Sequence, residues 1–187
     1  MTILWDTYRS ALGSIAQAVG RTPLVTLNRV TAGITPPVHA KLEWYSATGR
    51  LKDRIYLHMF ERAEARGDLR PGVRVLECST GNAGIACAFV AAVKGYRCTI
   101  VMPEGMSDER KKIMRAYGAD LVFTPGGESD VDLSLKRLAE IRAGDPAGYW
   151  VPGQFDNADN VEAHYRTTGP EVWEQTGGVL GAFVAAQ

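Results

Sequence analysis

The feature of this sequence that most limits its fold is a regular alternation of short apolar runs and helical patterns after residue 72. Strands are predicted at 73–77, 98–102, 120–124 and 149–152, and helices are predicted at 84–94, 107–118, 130–142 and 158–175. Strands joined through helices pair in parallel, because a parallel pair needs a long crossover connection. The sequence therefore predicts an α/β fold with an open, mostly parallel sheet and helices on both faces.

The first part of the chain has weaker signals. A helix is predicted around 14–19 within residues 1–20, short strands at 21–27 and 38–44, and a helix from Lys52 to Gly67. Near the other end, VLGAFVAA (179–186) is apolar throughout, which predicts a buried strand.

Composition excludes several functional classes. Basic and acidic residues number 21 each in 187 residues, so no nucleic-acid or membrane surface is indicated. MTILWDTYRS has no signal-peptide pattern, and the longest apolar run, IACAFVAAV, is too short to span a bilayer. Cys78, Cys87 and Cys98 lack metal-ligand spacing, which predicts reduced thiols, no metal site and a cytoplasmic protein.

Lys52 lies at an unusual position in the pattern SATGRLKDRIYLHMF. It precedes Tyr56 and Phe60 at steps of four, so it points along the apolar stripe at the amino end of the helix. Asp53 and Arg54 fall on the opposite, polar side. Burial and the helix dipole both favour the neutral, nucleophilic amine that a covalent cofactor bond requires. The alternative is an ordinary lysine that reaches water and pairs with Glu43 or Asp53.

The segment ECSTGNAGIACAF places a small polar loop between a strand and a helix. Backbone N–H groups at such a helix start can bind an anion, and Ser79, Thr80 and Asn82 add side-chain donors. Gly81 and Gly84 would allow close approach to the backbone. The loop is not the GxGxxG of dinucleotide sites, and it suits a carboxylate better. The alternative is a small-residue turn common in α/β folds.

A third polar segment, VPGQFDNADN, follows the predicted strand at 149–152. Gln154 and Asn157 would lie beyond the carboxyl end of that strand, where open α/β sheets bind ligands. Asn and Asp are also common turn residues, so a structural turn is the alternative.

Taken together and in this order, the motifs resemble those of the cysteine synthases, or O-acetylserine sulfhydrylases. These are pyridoxal-phosphate enzymes of fold type II, the tryptophan synthase β-like fold. The resemblance extends from about Val19 to the last residue and includes GRTPLVTLNR, GRLKDRIYL, ECSTGNAGIACAFVAAVKGY and VPGQFDNADNVEAHYRTTGPEVWEQTGG.

The resemblance implies a reaction and a role for each motif. It implies pyridoxal 5′-phosphate as cofactor and a β-replacement that makes L-cysteine from an activated serine, O-acetylserine, and sulfide. Lys52 matches the lysine that carries the cofactor and moves the substrate's proton, and Asn82 matches the residue that hydrogen-bonds the cofactor's 3′-oxygen. The groups that bind the amino-acid carboxylate correspond to Ser79, Thr80, Gly81 and Gln154.

The resemblance also implies a division into lobes. Residues 46–160 correspond to the smaller lobe, and 1–45 and 161–187 to parts of a larger lobe. The family continues past GAFVAA into a glycine-rich loop that binds the cofactor phosphate, whereas this sequence ends at Gln187. The second lobe is therefore expected to be incomplete, with a homodimer or a second chain supplying the remainder.

Two alternatives to this function stay open. The chain could be an inactive homologue that acts as a binding module, or it could belong with cystathionine β-synthases, threonine synthases or serine/threonine dehydratases, which share the lysine and the fold.

Arg50 stands where the family usually has serine. It is predicted to be a solvated loop charge, with contact to an anionic substrate or cofactor as the alternative.

Overall fold

The computed structural model of this protein describes residues 10–185, and most of the predicted elements are present in it. The strands are β1 (Leu24–Thr26), β2 (His39–Lys41), β3 (Arg74–Cys78), β4 (Cys98–Pro103), β5 (Asp120–Thr124) and β6 (Tyr149–Trp150). The helices are α1 (Asp53–Arg66), α2 (Asn82–Lys94), α3 (Asp108–Ala116), α4 (Val131–Gly144), α5 (Ala158–Arg166) and α6 (Thr168–Gln175).

Two separate sheets form. β1 and β2 pair in antiparallel fashion, with Val25 opposite Ala40. The larger sheet has the order β5–β4–β3–β6, and all of its neighbouring strands are parallel. The chain moves from β3 outward through β4 and β5, then returns to place β6 on the other side of β3. The carboxyl ends of β3 and β6 therefore flank the point where the strand order reverses, which is where such sheets bind ligands.

Helices cover both faces of the larger sheet, as predicted. α2 and α4 each pack against β3 and β4 but not extensively against each other, which places them on opposite faces. α1 lies against α2 and α5. Its apolar stripe is fully buried, including Ile55, Tyr56 and Phe60. Gly67 ends α1 in the left-handed conformation, with φ of 80°, as its position in the sequence predicts.

Close packing sets the position of α2, which is buried along most of its length. A Cβ atom on Gly84 would lie 2.8 Å from Met114 Cε and 3.2 Å from Ser79 Cβ. The missing side chain of Gly84 therefore lets the first turn of α2 approach the end of β3 without displacing Met114 or Ser79.

Two predicted elements differ in the structure. The helix predicted near 14–19 is a single 3₁₀ turn at Ile15–Ala18, while residues 1–9 of that prediction lie outside the described residues. The predicted strand at 179–186 is wrong over its described part, 179–185. Val179 and Val184 there are 81% and 91% exposed. A strand needs a hydrogen-bonding edge, and in the described residues this segment pairs with none.

No helix in residues 10–185 is long and apolar enough to cross a bilayer. Cys78, Cys87 and Cys98 are free and buried, as expected for reduced thiols.

Candidate functional site

Lys52 occupies the residue just before α1 and is half-buried. Neither a hydrogen bond nor an ion pair to its amine is found within residues 10–185. The two carboxylates that could have neutralised it have other partners, since Asp53 binds Thr48 and Glu43 binds Arg54. The ordinary ion-pair alternative for Lys52 is therefore wrong, and the amine is free for another bond.

Asp53 fixes the loop that carries the lysine, residues 46–52, which we call the lysine loop. The side chain of Asp53 is fully buried and accepts hydrogen bonds from Thr48 N at 2.7 Å and Thr48 Oγ1 at 2.5 Å. Both carboxylate oxygens therefore bind the loop, which fixes the backbone that leads to Lys52.

Arg54 anchors the same helix turn on its other side. The sequence pattern put this residue on the polar face of α1, yet it is only 3% exposed. Its guanidinium donates to Glu43 Oε2 at 2.8 Å and to Glu171 Oε1 at 2.6 Å. Thr22 Oγ1 accepts a further bond at 3.1 Å. These bidentate pairs satisfy a buried charge with partners that are distant in sequence.

The β3–α2 loop, residues 79–81, is organised by Ser79. Its hydroxyl oxygen accepts from Gly84 N at 2.8 Å and from Gly81 N at 3.3 Å, so its O–H remains able to donate. The backbone N–H groups of Thr80, Asn82 and Ala83 have no acceptor in the described chain. A hydroxyl and unpaired N–H groups at the start of α2 are the donors that a carboxylate needs.

Two arginines reach this loop. Arg110 of α3 donates to the Thr80 carbonyl at 3.1 Å, and Arg50 Nε donates to Asn82 Oδ1 at 3.2 Å. Arg50, predicted to be a solvated loop charge, is half-buried, and its guanidinium also binds a residue of the candidate site. Sequence reasoning missed the Arg110 contact, which depends on how α3 packs.

Gln154 lies in the loop after β6, the strand that pairs in parallel with β3. It is 8% exposed, and its carbonyl accepts from Asn160 Nδ2 at 2.8 Å. Its side-chain amide makes no hydrogen bond within residues 10–185, and so none to Ser79. Asn157 caps α5 by accepting from Asp159 N at 2.9 Å, which makes it a structural residue.

Buried titratable groups surround the end of β3. Burial raises the pKa of Glu77 to about 7, even though hydrogen bonds from Tyr56 and the Cys78 N–H oppose the shift. Burial, with a smaller effect of Glu77, raises the pKa of Cys78 to about 11. The thiol next to the β3–α2 loop therefore stays protonated at neutral pH and does not compete as a nucleophile.

His164 of α5 is a residue that the sequence analysis did not single out. Burial is the main cause that lowers its pKa, and the positive charges of Arg54 and Lys52 lower it further. Its Nδ1 lies 2.9 Å from Thr168 Oγ1. A neutral imidazole thus lies within electrostatic range of the lysine amine.

Two surface cavities lie away from these residues. One of about 530 Å³ is formed by residues 71–74 and 94–97, and one of about 410 Å³ includes Gly67, Pro146 and Trp150. The first lies at the amino ends of β3 and β4. The candidate site lies at the opposite, carboxyl ends, where the geometry of the sheet favours ligand binding.

Comparisons with known proteins identify the family. The family model described as "Pyridoxal-phosphate dependent enzyme" matches residues 15–186. This chain belongs to that family. Cysteine synthase B of Pseudomonas aeruginosa is 45% identical over 176 residues, which cover 92% of this chain and 57% of that protein. A cysteine synthase of Staphylococcus aureus is 43% identical and is matched over 55% of its length.

Solved structures agree with this assignment to the pyridoxal-phosphate family. The cysteine synthase of Entamoeba histolytica superposes with a TM-score of 0.87 at 36% identity, covering 91% of this chain and 51% of that one. A hydrogen sulfide-producing enzyme of Fusobacterium nucleatum gives a TM-score of 0.84 at 37% identity. The predicted fold class is confirmed. The chain spans about half the length of the curated relatives it matches.

The residues at the sheet edge fit the family's cofactor. Pyridoxal phosphate needs an amine for a covalent bond and donors for its ring oxygen, and Lys52 and the Asn82 amide offer these groups. In the lysine loop, Ser46 Oγ is buried and has no hydrogen-bond partner in the described chain. A polar atom left unpaired there is consistent with a loop that receives a polar ligand.

Proposed function

We propose that this chain carries the cofactor lysine and the substrate-carboxylate site of a cysteine synthase, which forms L-cysteine from O-acetylserine and sulfide. The observation that supports the proposal is that Lys52, whose amine has no partner in the described residues, follows two positions after Arg50, whose side chain binds Asn82 at the start of α2. The names of the relatives, cysteine synthases that are 43–45% identical, support the choice of reaction.

Each proposed role follows from the chemistry of its side chain. Lys52 would hold the cofactor through Nζ, and when released its amine would accept the proton from the substrate's Cα. Pyridoxal phosphate, when bound, supplies the electron sink that makes this proton acidic. The amide of Asn82 would donate to the cofactor's 3′-oxygen.

The substrate carboxylate would bind to the Ser79 hydroxyl, the Thr80 hydroxyl and N–H, and the amide of Gln154. Gly81 would contribute mainly by leaving space for the carboxylate, since its own N–H is directed to Ser79 Oγ. Fixed donors in a site with little water bind an anion more strongly than flexible donors in solution.

We further propose an assembly, either a homodimer or a pair with a chain that provides the matching second half. Exposed apolar side chains support it, among them Phe155, Tyr165 and Trp173 at 83%, 81% and 60% exposure. Surfaces of this kind mark contacts with other proteins. Sedimentation analysis should give a mass above 20.3 kDa, and a strictly monomeric active chain would contradict this part.

The free thiols suit the reducing cytoplasm, where we place the protein.

The reaction is tested by adding pyridoxal phosphate, O-acetylserine and sulfide and measuring cysteine. We expect cysteine from the wild type and none from Lys52→Ala. Lys94→Ala is the matched control, since Lys94 is half-buried but paired with Glu64 at 2.7 Å. Pyruvate instead of cysteine would indicate that the activated serine undergoes elimination without replacement, as in a dehydratase. No turnover by a cofactor-saturated assembly would contradict catalysis and favour a binding module.

A further inference from the structure

The two loops of the candidate site are joined by one side chain. Among the side-chain hydrogen bonds of residues 10–185, a single bond links the lysine loop to the β3–α2 segment that ends at Asn82. It runs from Arg50 Nε to Asn82 Oδ1 over 3.2 Å. The two loops belong to different elements and are 32 positions apart at this contact.

Arg50 is also bound to the lysine loop itself. Its Nη1 donates to the Thr48 carbonyl at 2.7 Å. Thr48 is fixed in turn by the fully buried carboxylate of Asp53, through bonds of 2.7 and 2.5 Å. A chain of hydrogen bonds therefore runs from the start of α1, through the lysine loop, to the start of α2. The guanidinium of Arg50 is bound through Nε to Asn82 and through Nη1 to Thr48, so it can act as a fixed donor.

The direction of this bond determines how Asn82 can act. A guanidinium is a donor only, so the oxygen of the Asn82 amide must face Arg50. The amide nitrogen, with its two hydrogens, then faces away from Arg50 and can donate elsewhere. Without Arg50 the amide could flip and present its oxygen to the ligand. An acceptor oxygen on the ligand cannot form a hydrogen bond with that oxygen, so the contact would be lost.

We infer that Arg50 is a positioning residue that orients the amide of Asn82 as a donor toward the phenolic ring oxygen of the cofactor, and that couples the lysine loop to the β3–α2 loop. The inference rests on the proposed function for the identity of the acceptor. The orientation of Asn82 itself is a property of the chain without ligand.

The orientation can be measured in the free protein by NMR of the ¹⁵N-labelled chain. The side-chain amide pair of Asn82 is assigned by its absence in Asn82→Asp. In Arg50→Ala we expect this pair to move toward the position of a free amide. Arg70→Ala is the matched control, because Arg70 also binds a main-chain carbonyl, Gly67 O at 3.3 Å, but far from Asn82. An unmoved Asn82 pair in Arg50→Ala would overturn the inference.

The consequence for the cofactor is measured by titration with pyridoxal phosphate, following the visible absorption band and the dissociation constant. Loss of one oriented hydrogen bond should weaken binding about three- to tenfold in Arg50→Ala. In the Asn82→Ala background the same substitution should have no further effect, because Arg50 acts through Asn82. Multiplying effects would mean that Arg50 acts on its own and would overturn the inference.

Arg50→Lys separates orientation from charge. Lysine keeps the positive charge but lacks the planar fork that binds Asn82 and Thr48 together. We expect it to weaken the cofactor as Arg50→Ala does and to shift the absorption band; wild-type behaviour of Arg50→Lys would assign the effect to charge alone and contradict the inference. A wild-type chain that takes up no cofactor at Lys52 would instead contradict the proposed function, while the NMR result still decides the orientation of Asn82.

Discussion

Residues 46–160 have an apolar interior, whereas the flanking segments, residues 10–45 and 161–185, are held mainly by charges. All of the largest fully buried side chains, such as Phe60, Leu76 and Met102, belong to 46–160. In the flanking segments the buried apolar side chains are Ala163 and Val172. These ranges follow the lobes predicted from the resemblance, a division that stays a prediction.

The flanking segments meet the rest of the chain at the guanidinium of Arg54. Glu43 binds it from one flanking segment and Glu171 from the other. Lys41 adds a second cation 2.7 Å from Glu171 Oε2. The proposed site lies mostly in 46–160, so its rigidity comes from the apolar core. The charge cluster instead links both flanking segments to α1.

The largest effect is expected in the apolar part. Phe60 is fully buried and meets Trp150 edge-on, with ring centroids 4.9 Å apart. Phe60→Ala should lower the free energy of unfolding by about 4 kcal/mol, through lost burial and a cavity. Urea denaturation measures this. Phe155→Ala, at a residue that is 83% exposed, should change it by less than about 0.5 kcal/mol. Similar losses of unfolding free energy in Phe60→Ala and Phe155→Ala would contradict the role given to the apolar interior.

The charge cluster should give the next largest effect. Arg54→Ala leaves Glu43 without its ion-pair partner and Glu171 with Lys41 alone. We expect a loss of about 3 kcal/mol together with faster proteolysis in residues 10–45. Arg74→Ala removes an exposed pair with Asp145 at 2.8 Å and should cost about 0.5 kcal/mol. Equal costs in urea denaturation would show that burial of the Arg54 cluster has no energetic importance.

A third test measures how the free energy of unfolding depends on pH through a buried group of the apolar part. The pKa of Glu77 is about 7 in the folded protein against 4.5 for the free group, mainly because of burial. Its contribution to stability is therefore complete below about pH 4.5 and is lost as the pH rises through 7. This decline should be on the order of 2–3 kcal/mol and absent in Glu77→Gln. Glu140→Gln, on the surface, should keep it; a decline in both variants would contradict the assignment.

The flanking cluster should show the opposite pH dependence with a smaller effect. Burial alone would raise the pKa of Glu171, but hydrogen bonds from Arg54 and Lys41 lower it to about 2. Its contribution is present above about pH 4.5 and is lost as the pH falls through 2. Glu171→Gln should cost about 1–2 kcal/mol at pH 7 and little at pH 2. The same cost at both values, measured by urea denaturation, would contradict this.

The contrast also explains which features the sequence could predict. Apolar periodicity and glycine positions predicted the strands and helices of 46–160 well, because those signals are local. Asp53 and Arg54 were placed on the solvent side of α1, since a helical pattern assigns charges to water. The burial of Arg54 depends on partners such as Glu171, 117 positions away, which no local pattern contains.

The candidate site divides in the same way. Lys52, Ser79 and Gln154 could be predicted from strand ends and from the family resemblance. The contact between Arg50 and Asn82 could not, because it depends on how two loops approach each other in space. The apolar segment 179–185 predicted a strand, but apolar character alone does not provide a neighbouring strand edge.

The most direct test of the account is to find which lysine holds pyridoxal phosphate. The cofactor is added to the chain, fixed with borohydride and located by peptide mass spectrometry. We predict one cofactor per chain on Lys52, because its amine is half-buried and has no partner in the described residues. Labelling spread over exposed lysines such as Lys112 and Lys136, unchanged in Lys52→Ala, would contradict the central claim.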